Sequence, residues 1–541
     1  MFPYFKQKGQ FTASDHMGSA VAHSELLIQG LRLGLIDCAH LIAADTQLNL
    51  LSERHRHAAF AELVDEFGPK RICSAGLFEL PTLFLKPNAV LVGRAPQNVA
   101  ALYVRDAIPE SSMPTCALVH SVAWPNLLGQ CMSLLCSMSD IDTLVVTSNA
   151  ARRALECAMD LARGALFDRL KVKPPDIAIH QIPLGINCEA FERCISKVDT
   201  RRILGIPTDS VSILYFGRLD EGYKADLGPL LRAFRALRNE TAGMHFILAG
   251  ADPGDSYRPI LQQSINALEL STTVSVISNV TPAEKRLLYS SADIFVSPVD
   301  NIQESFGLSL LEAMASALPV VASDWSGYRD IVLPNVTGFL AKTYWSAYAG
   351  ASTSWLSAAA PTAELDRFLA RRTAVDVDEL TMYLRSLVRD PDLRRRLGSA
   401  ARERAETLYS WRAVLGQFQD LWLSQIDRSK DIRHRPRKLH YVNEAFSHYA
   451  TTTVREDTRI IIASHGNRVT DEAHDPINLS VPQGSGLRSE MLSRIFIAVS
   501  ENKEPIRISE IKKHLGSCED EIMFLLKRDA IRVWRPAQVN G

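Results

Sequence analysis

Two glutamates, Glu304 and Glu312, bracket a loop-to-helix junction in the stretch "NIQESFGLSLLEAMASALPVV". The preceding "ADIFVSP" reads as a buried strand and "VDNIQES" as the loop at its carboxyl end. "FGLSLLEAMASA" reads as a helix that packs Leu308, Leu311, Met314 and Ala315 on a sheet. Glu304 then falls in the loop and Glu312 about two turns into the helix, so the two carboxylates have different tasks. The helix amino terminus at Phe306, Gly307 and Leu308 offers unpaired N–H groups and a positive dipole end, and Gly307 lets a ligand approach the backbone. That combination seats a phosphate. A carboxylate beside a phosphate is repelled unless it addresses hydroxyl groups, so Glu304 and Glu312 are expected to grip sugar hydroxyls. The complementary charge stands in "YFGRLDEGYKADLG", where Gly217 and Arg218 follow a strand and Lys224 comes in the next loop. Arg as a fork and Lys as a point charge can together neutralise a diphosphate, although either alone is equally at home as a solvated side chain.

These residues need strands to end where they stand. Residues 1 to about 190 alternate helical patterns with short apolar runs such as "AVLVGRA", "TCALVHSV" and "DTLVVTSN", the rhythm of a parallel sheet. The rhythm returns in "VSILYFGRL", "MHFILAG", "TVSVIS", "ADIFVSP" and "LPVVAS", and in "LGPLLRAFRALR" the residues Leu230, Ala233, Phe234 and Leu237 share one helical face. Two α/β lobes with a cleft between them follow, with ligands expected at the carboxyl ends of the strands. An Ala/Ser-rich insertion from 343 to about 376 reads as a loop or an extra helix.

Sixty basic against sixty-one acidic residues give a net charge of −1, so no global field favours nucleic acid or an anionic membrane, and any phosphate site is local. An apolar share of 46% suffices for several cores in a chain of this length. "MFPYFKQKGQ" has no apolar run of the signal-peptide kind and no stretch is long enough for a spanning helix, which reads as a soluble, cytoplasmic protein. Nine cysteines without a CxxC pair read as buried free thiols rather than disulfides or a zinc site. No metal-ligand cluster of Asp or His is visible, and no cofactor is expected.

The blocks "GRLDEGYK", "HFILAG", "ADIFVSPVDNIQESFGLSLLEAMASALPVVASDWSGYRDIV" and "NVTGFLA" resemble the family-4 retaining glycosyltransferases, with the E-x7-E motif at Glu304 and Glu312. "VTSNAARRAL" and "IPLGINCEAF" resemble that family's approach to its interdomain linker. The resemblance implies the GT-B fold, two Rossmann-like lobes facing across a cleft, with a nucleotide-sugar donor held mainly by the second. It implies that Arg218 and Lys224 hold the donor diphosphate, Glu304 the transferred sugar and Glu312 the ribose hydroxyls. Gly217 and the main chain of Phe306, Gly307 and Leu308 complete the donor contacts. His120, ending "CALVH", matches a first-lobe histidine that faces the donor sugar; "DHMGSAVAHSELL" resembles the first glycine loop, placing Gly18 and Ser19 near donor and acceptor. Retention, with the departing diphosphate helping to deprotonate the acceptor and with cations in place of a metal, is implied as well. Where Ala317 stands the family usually has Gly; a left-handed backbone there costs roughly 1 kcal/mol with Ala.

The expected organisation is a first lobe over 1–195 on the acceptor side, a donor lobe over 196–426 whose helix near 410–425 returns to the first, a basic linker over 427–440 and an accessory unit over 441–541. Within the last, 488–536 reads as helix, short helix, helix and strand, with Ser509 capping "EIKKHL", Gly516 ending it and Ser517 with Asp520 capping "EIMFLL". That order resembles a winged helix, a fold that binds DNA but also peptides and proteins, and a protein or peptide partner is expected here. The acceptor is left open among a saccharide, a lipid-linked saccharide, a small molecule and a protein. The competing reading is a nucleotide-sugar-sensing regulator or nucleic-acid-binding protein with catalytically silent lobes. Acidic residues interleave the basic ones in the tail, which speaks against DNA.

Overall fold

The computed structural model describes residues 18–42, 61–75, 80–96, 99–108, 111–124, 126–192, 195–252, 256–346, 362–430, 446, 450, 452–463, 487–502 and 504–534. The expected strand at "MFPYF", residues 347–361 of the insertion and residues 431–440 of the linker lie outside the described residues.

The first lobe contains the parallel pair β1 (Ala39–Ile42) and β2 (Ile72–Ala75) and a four-stranded parallel sheet. That sheet runs in sequential order through β3 (Leu91–Arg94), β4 (Thr115–Val119), β5 (Thr143–Val146) and β6 (Ala178–Gln181). β4 and β5 are buried along their whole length, which is why they read as apolar runs and not as alternating ones. Helices Leu127–Ser137 and Asn149–Leu170 close one core around Leu134, Leu155 and Met159. A second core joins Leu26 and Leu27 to Trp411, Val414, Leu415 and Phe418 of helix Trp411–Ser429. That helix therefore packs on the first lobe, and Gln425 anchors it by donating to the carbonyls of Thr115 at 2.9 Å and Ile141 at 3.1 Å.

The second lobe is a six-stranded parallel sheet of β7 (Val211–Phe216), β8 (Met244–Gly250), β9 (Val274–Ser278), β10 (Ile294–Ser297), β11 (Val320–Ser323) and β12 (Gly338–Ala341). The spatial order is β12-β11-β10-β7-β8-β9. The chain builds outward in one direction from β7 and then in the other from β10, so the order reverses between these two strands. Leu230, Ala233, Phe234 and Leu237 are all buried on helix Gly228–Glu240, as their spacing predicts. The insertion contributes the antiparallel pair β13 (Thr343–Trp345) and β14 (Thr373–Val375) and an extra helix, Thr362–Ala370.

Near the carboxyl end, β15 (Arg459–Ile462), β16 (Ile506–Arg507) and β17 (Ile531–Val533) form an antiparallel sheet in the order β16-β15-β17. Helices Ser489–Glu501, Ile508–Leu515 and Glu519–Lys527 close a core of their own around Ile460, Ile495, Ile511 and Leu525. The central strand comes before the first helix, an order the sequence does not suggest. Two expected caps are corrected. Ser509 lies inside its helix, which starts at Ile508, and Ser517 does not cap the next. Glu519 takes over there, its carboxylate accepting the Ser517 hydroxyl at 2.7 Å and the Cys518 N–H at 3.0 Å. Gly516 does end the middle helix.

The expectation of buried thiols holds for Cys116, Cys131, Cys188 and Cys518 and fails for Cys38, Cys136 and Cys157, which are exposed. Among the described residues no helix is long and apolar enough to cross a membrane.

Candidate active site

The strand order reverses between β7 and β10, the place at which parallel sheets seat their ligands, and the loops that leave the carboxyl ends of these two strands carry most of the residues singled out above. After β7 comes Gly217, whose carbonyl oxygen is so close to the end of β8 that a side-chain carbon on Gly250 would lie 1.8 Å from it. Gly250, with φ +148, is the residue that permits this approach. Arg218 follows, half-buried, its guanidinium 5.8 Å from the centre of the Tyr223 ring; Arg367 of the extra helix lies 5.9 Å from the same ring. Asp220 shapes the turn between them by accepting the N–H groups of Gly222 at 2.9 Å and Tyr223 at 3.1 Å. That turn delivers Lys224 to the carboxylate of Glu304, with which it forms an ion pair.

After β10, Asn301 ties the two loops together. Its amide nitrogen donates to the Gly222 carbonyl, its side-chain oxygen accepts the Gln303 N–H at 2.8 Å, and its own carbonyl accepts the Trp325 indole N–H at 2.9 Å. Gln303 reaches the extra helix by donating to Asp366 at 2.5 Å. Burial pushes the Asp300 carboxyl up to about 7 and also raises that of Asp366.

The first lobe meets this loop directly. Ser305 donates to the carbonyl of His120, at the carboxyl end of β4, while Ser148 after β5 donates to the Ser305 carbonyl at 2.6 Å. Ser121 donates to Gln303 at 3.5 Å. His120 is thereby held half-buried against the segment that carries Glu304. Phe306 is buried, Gly307 is the N-cap, and the helix runs from Leu308 to Ala315. Gly307 adopts φ +127, and a side-chain carbon there would lie 2.5 Å from the Tyr328 ring. The late start corrects one expectation: Glu312 is only about one turn into the helix. Ala317 does adopt the left-handed conformation, with φ +56.

Glu312 has partners of its own. Lys285 of helix Pro282–Ser291 forms an ion pair with it and Tyr289 donates to it at 2.9 Å; the buried Tyr289 hydroxyl is pushed well above its ordinary range, first by desolvation and then by this carboxylate. The Lys285 ammonium also lies 5.3 Å from the centre of the Phe216 ring at the end of β7. The site thus contains two matched pairs, Lys224–Glu304 and Lys285–Glu312, on either side of one helix amino terminus. Lys285, Tyr289, Asn301 and Gln303 carry no motif in the sequence. Gly18 begins helix Gly18–Arg32, but the side chain of Ser19 lies outside the described residues, so the first glycine loop has no geometry here. One further expectation changes: a group of residues with metal-ligand spacing does exist, at Cys38, His40 and Cys73 in the first lobe.

Residues 196–372 match the family Glycosyl transferases group 1. Among curated proteins, D-inositol 3-phosphate glycosyltransferase of Kineococcus radiotolerans is 30% identical over 185 residues, which cover 33% of this chain and 41% of that protein. The match therefore spans less than half of that relative's length. Among solved structures, a glycosyltransferase from Rickettsia africae superposes with a TM-score of 0.52 at 15% identity, over 76% of this chain and 96% of that one. Anabaena HepE in complex with UDP and glucose gives a TM-score of 0.50 at 15% identity, over 78% of this chain and 98% of that one. The fold is GT-B: two Rossmann-like lobes facing each other.

Proposed function

We propose that the chain is a glycosyltransferase that moves a sugar from a nucleoside-diphosphate sugar to an acceptor hydroxyl, with retention of configuration and without a divalent metal. The observation that carries this reading is the switch point between β7 and β10, where Arg218, Lys224, Glu304 and the amino terminus of helix Leu308–Ala315 converge against the His120 strand end of the other lobe. The group 1 match over the donor lobe and the glycosyltransferase relatives support it, as does the UDP in the Anabaena structure.

In the proposed reaction the bond from the anomeric carbon to the diphosphate oxygen breaks and a bond to the acceptor oxygen forms on the same face. The acceptor proton passes to the departing diphosphate. Charge gathers on that leaving group, and Arg218, Lys224 and the helix N–H groups are the preorganised partners for it. Glu304 addresses the transferred sugar and Glu312 the ribose, while Gly217 and the main chain of Phe306, Gly307 and Leu308 line the donor. His120 faces the sugar, and Gly18 and Ser19 stand toward donor and acceptor. In this reading residues 1–195 serve the acceptor, residues 196–426 the donor, and the winged-helix-like unit within 441–541 recruits a partner or the acceptor. The protein works in the cytoplasm.

The reading is tested by thermal shift against a panel of nucleotide sugars in the presence of a chelator. A cognate donor at about a hundred times its dissociation constant should add roughly 2.7 kcal/mol of stability. No shift with any nucleotide sugar or nucleoside diphosphate would refute it.

A further inference from the structure

β1 and β2 are paired in parallel with Ala39 opposite Ile72 and His40 opposite Cys73. Side chains alternate along a strand, and directly paired residues point to the same face. Cys38 and His40 are two residues apart and Cys73 pairs with His40, so these three share one face. Ala39, Leu41 and Ile72 take the other face and are buried in the lobe core. The ligand atoms of Cys38, His40 and Cys73 all lie within 4.8 Å of one another, and Cys38 Sγ is 3.8 Å from His40 Nε2. An ion bonded tetrahedrally to sulfur at about 2.3 Å and nitrogen at about 2.0–2.1 Å holds those two atoms about 3.6 Å apart. Lys86 Nζ is 2.8 Å from the same His40 Nε2. An ammonium can only donate, so Nε2 is the acceptor there, and the lone pair that Lys86 holds is the one a metal ion would take in its place. Lys86 is exposed, and its flexible stem lets it withdraw.

We propose that Cys38, His40 and Cys73 bind zinc or a similarly thiophilic divalent cation, with the fourth position left to water. Two sulfurs and an imidazole select such ions over magnesium or calcium, which take oxygen ligands. Binding sends the two thiol protons to solvent and moves the Lys86 ammonium off Nε2, so two thiolates balance the charge of the ion. The site lies at the amino ends of the strands, since Cys38 precedes β1 and Cys73 is the second residue of β2. Catalytic groups in parallel sheets gather at the opposite, carboxyl ends. The ion therefore ties β1 to β2 and takes no part in sugar transfer, and the site stands or falls independently of the proposed activity.

The test is a titration of the full chain, reduced and stripped of metal, with cobalt(II). One equivalent should bind with near-ultraviolet thiolate-to-cobalt charge-transfer bands and intense visible bands of a tetrahedral site, and one equivalent of zinc should displace it. Cys38→Ser and His40→Gln should each weaken binding at least about tenfold, while Cys136→Ser and Cys157→Ser, at exposed cysteines elsewhere, should leave it unchanged. The exposure of Cys38 makes its serine variant safe for folding. Failure to bind, absence of the thiolate bands, or an affinity left unchanged by Cys38→Ser and by His40→Gln would overturn the proposal.

Discussion

Replacing Glu304 by Gln keeps the shape of the side chain and removes the charge that Lys224 is paired with. Both side chains are mostly buried, at 19% exposure for Lys224 and 12% for Glu304. Two unit charges in contact at an effective dielectric constant of about 20 attract by roughly 4 kcal/mol. Desolvation takes back most of this, and a net worth of about 1 kcal/mol is reasonable for a pair that keeps some exposure. A donor diphosphate arriving at Lys224 must share that ammonium with Glu304 and also meets the repulsion of its carboxylate. Glu304→Gln removes both obstacles, so the variant should bind nucleoside diphosphate about five times more tightly, a tenfold change being about 1.4 kcal/mol. Turnover should move the other way. Loss of a charged group facing the transferred sugar costs about 3 kcal/mol of transition-state stabilisation, or at least about a hundredfold in kcat. Calorimetric titration with the nucleoside diphosphate and a kcat measurement on the same preparation read both quantities. Weaker diphosphate binding in the variant, or unchanged turnover, would refute the assignment of Lys224 to the diphosphate and Glu304 to the sugar.

Glu312→Gln should instead weaken nucleotide binding by roughly tenfold with a small change in kcat, because ribose contacts are the same in ground and transition states; calorimetry and steady-state kinetics separate the two effects. Ala317→Gly should stabilise the protein by about 0.5–1 kcal/mol in denaturant unfolding, since φ +56 disfavours an L side chain. The Asp300 carboxyl, pushed up to about 7 by burial, keeps its proton in the folded chain where the unfolded chain has lost it. Its contribution to stability is full below about pH 4 and is lost as pH rises toward and through about 7, by roughly 1–3 kcal/mol, and Asp300→Asn should flatten that slope in unfolding curves taken at several pH values. A chain ending at Ser429 keeps helix Trp411–Ser429 on the first lobe and removes a unit with its own core, so it should stay folded and still hydrolyse donor. Aggregation or a lowered Tm would instead mean that the tail covers the lobes.

Much of the donor lobe was legible because its central strands are buried on both faces and leave continuous apolar runs, each ending in a small or polar residue where the chemistry begins. Strand order leaves no such trace, so the reversal between β7 and β10 that gathers Arg218, Lys224 and Glu304 emerges only in three dimensions. Lys285 was missed because its place beside Glu312 depends on how helix Pro282–Ser291 lies against the end of β7. Asn301 and Gln303 looked like ordinary loop residues, yet one bonds a carbonyl 79 positions earlier and the other a carboxylate 63 positions later. The capping serines misled for separate reasons: Ser509 falls one residue inside a helix that starts at Ile508, and the Ser517 hydroxyl donates to the Glu519 carboxylate instead of accepting a helix N–H. Cys38 misled because residue type alone suggested a buried thiol, whereas its position just before β1 leaves it exposed.

The central claim is that the loops at the β7–β10 reversal activate a nucleotide sugar, and following donor cleavage by proton NMR tests it most directly. The full chain, in chelator and without acceptor, is incubated with each nucleotide sugar that shifts its melting temperature. The account predicts slow release of free sugar, first seen in the anomeric configuration of the donor, and at least about hundredfold slower release by Lys224→Ala and Arg218→Ala. Binding of the nucleotide sugar with no cleavage in any condition, or cleavage at the same rate in both variants, would contradict it.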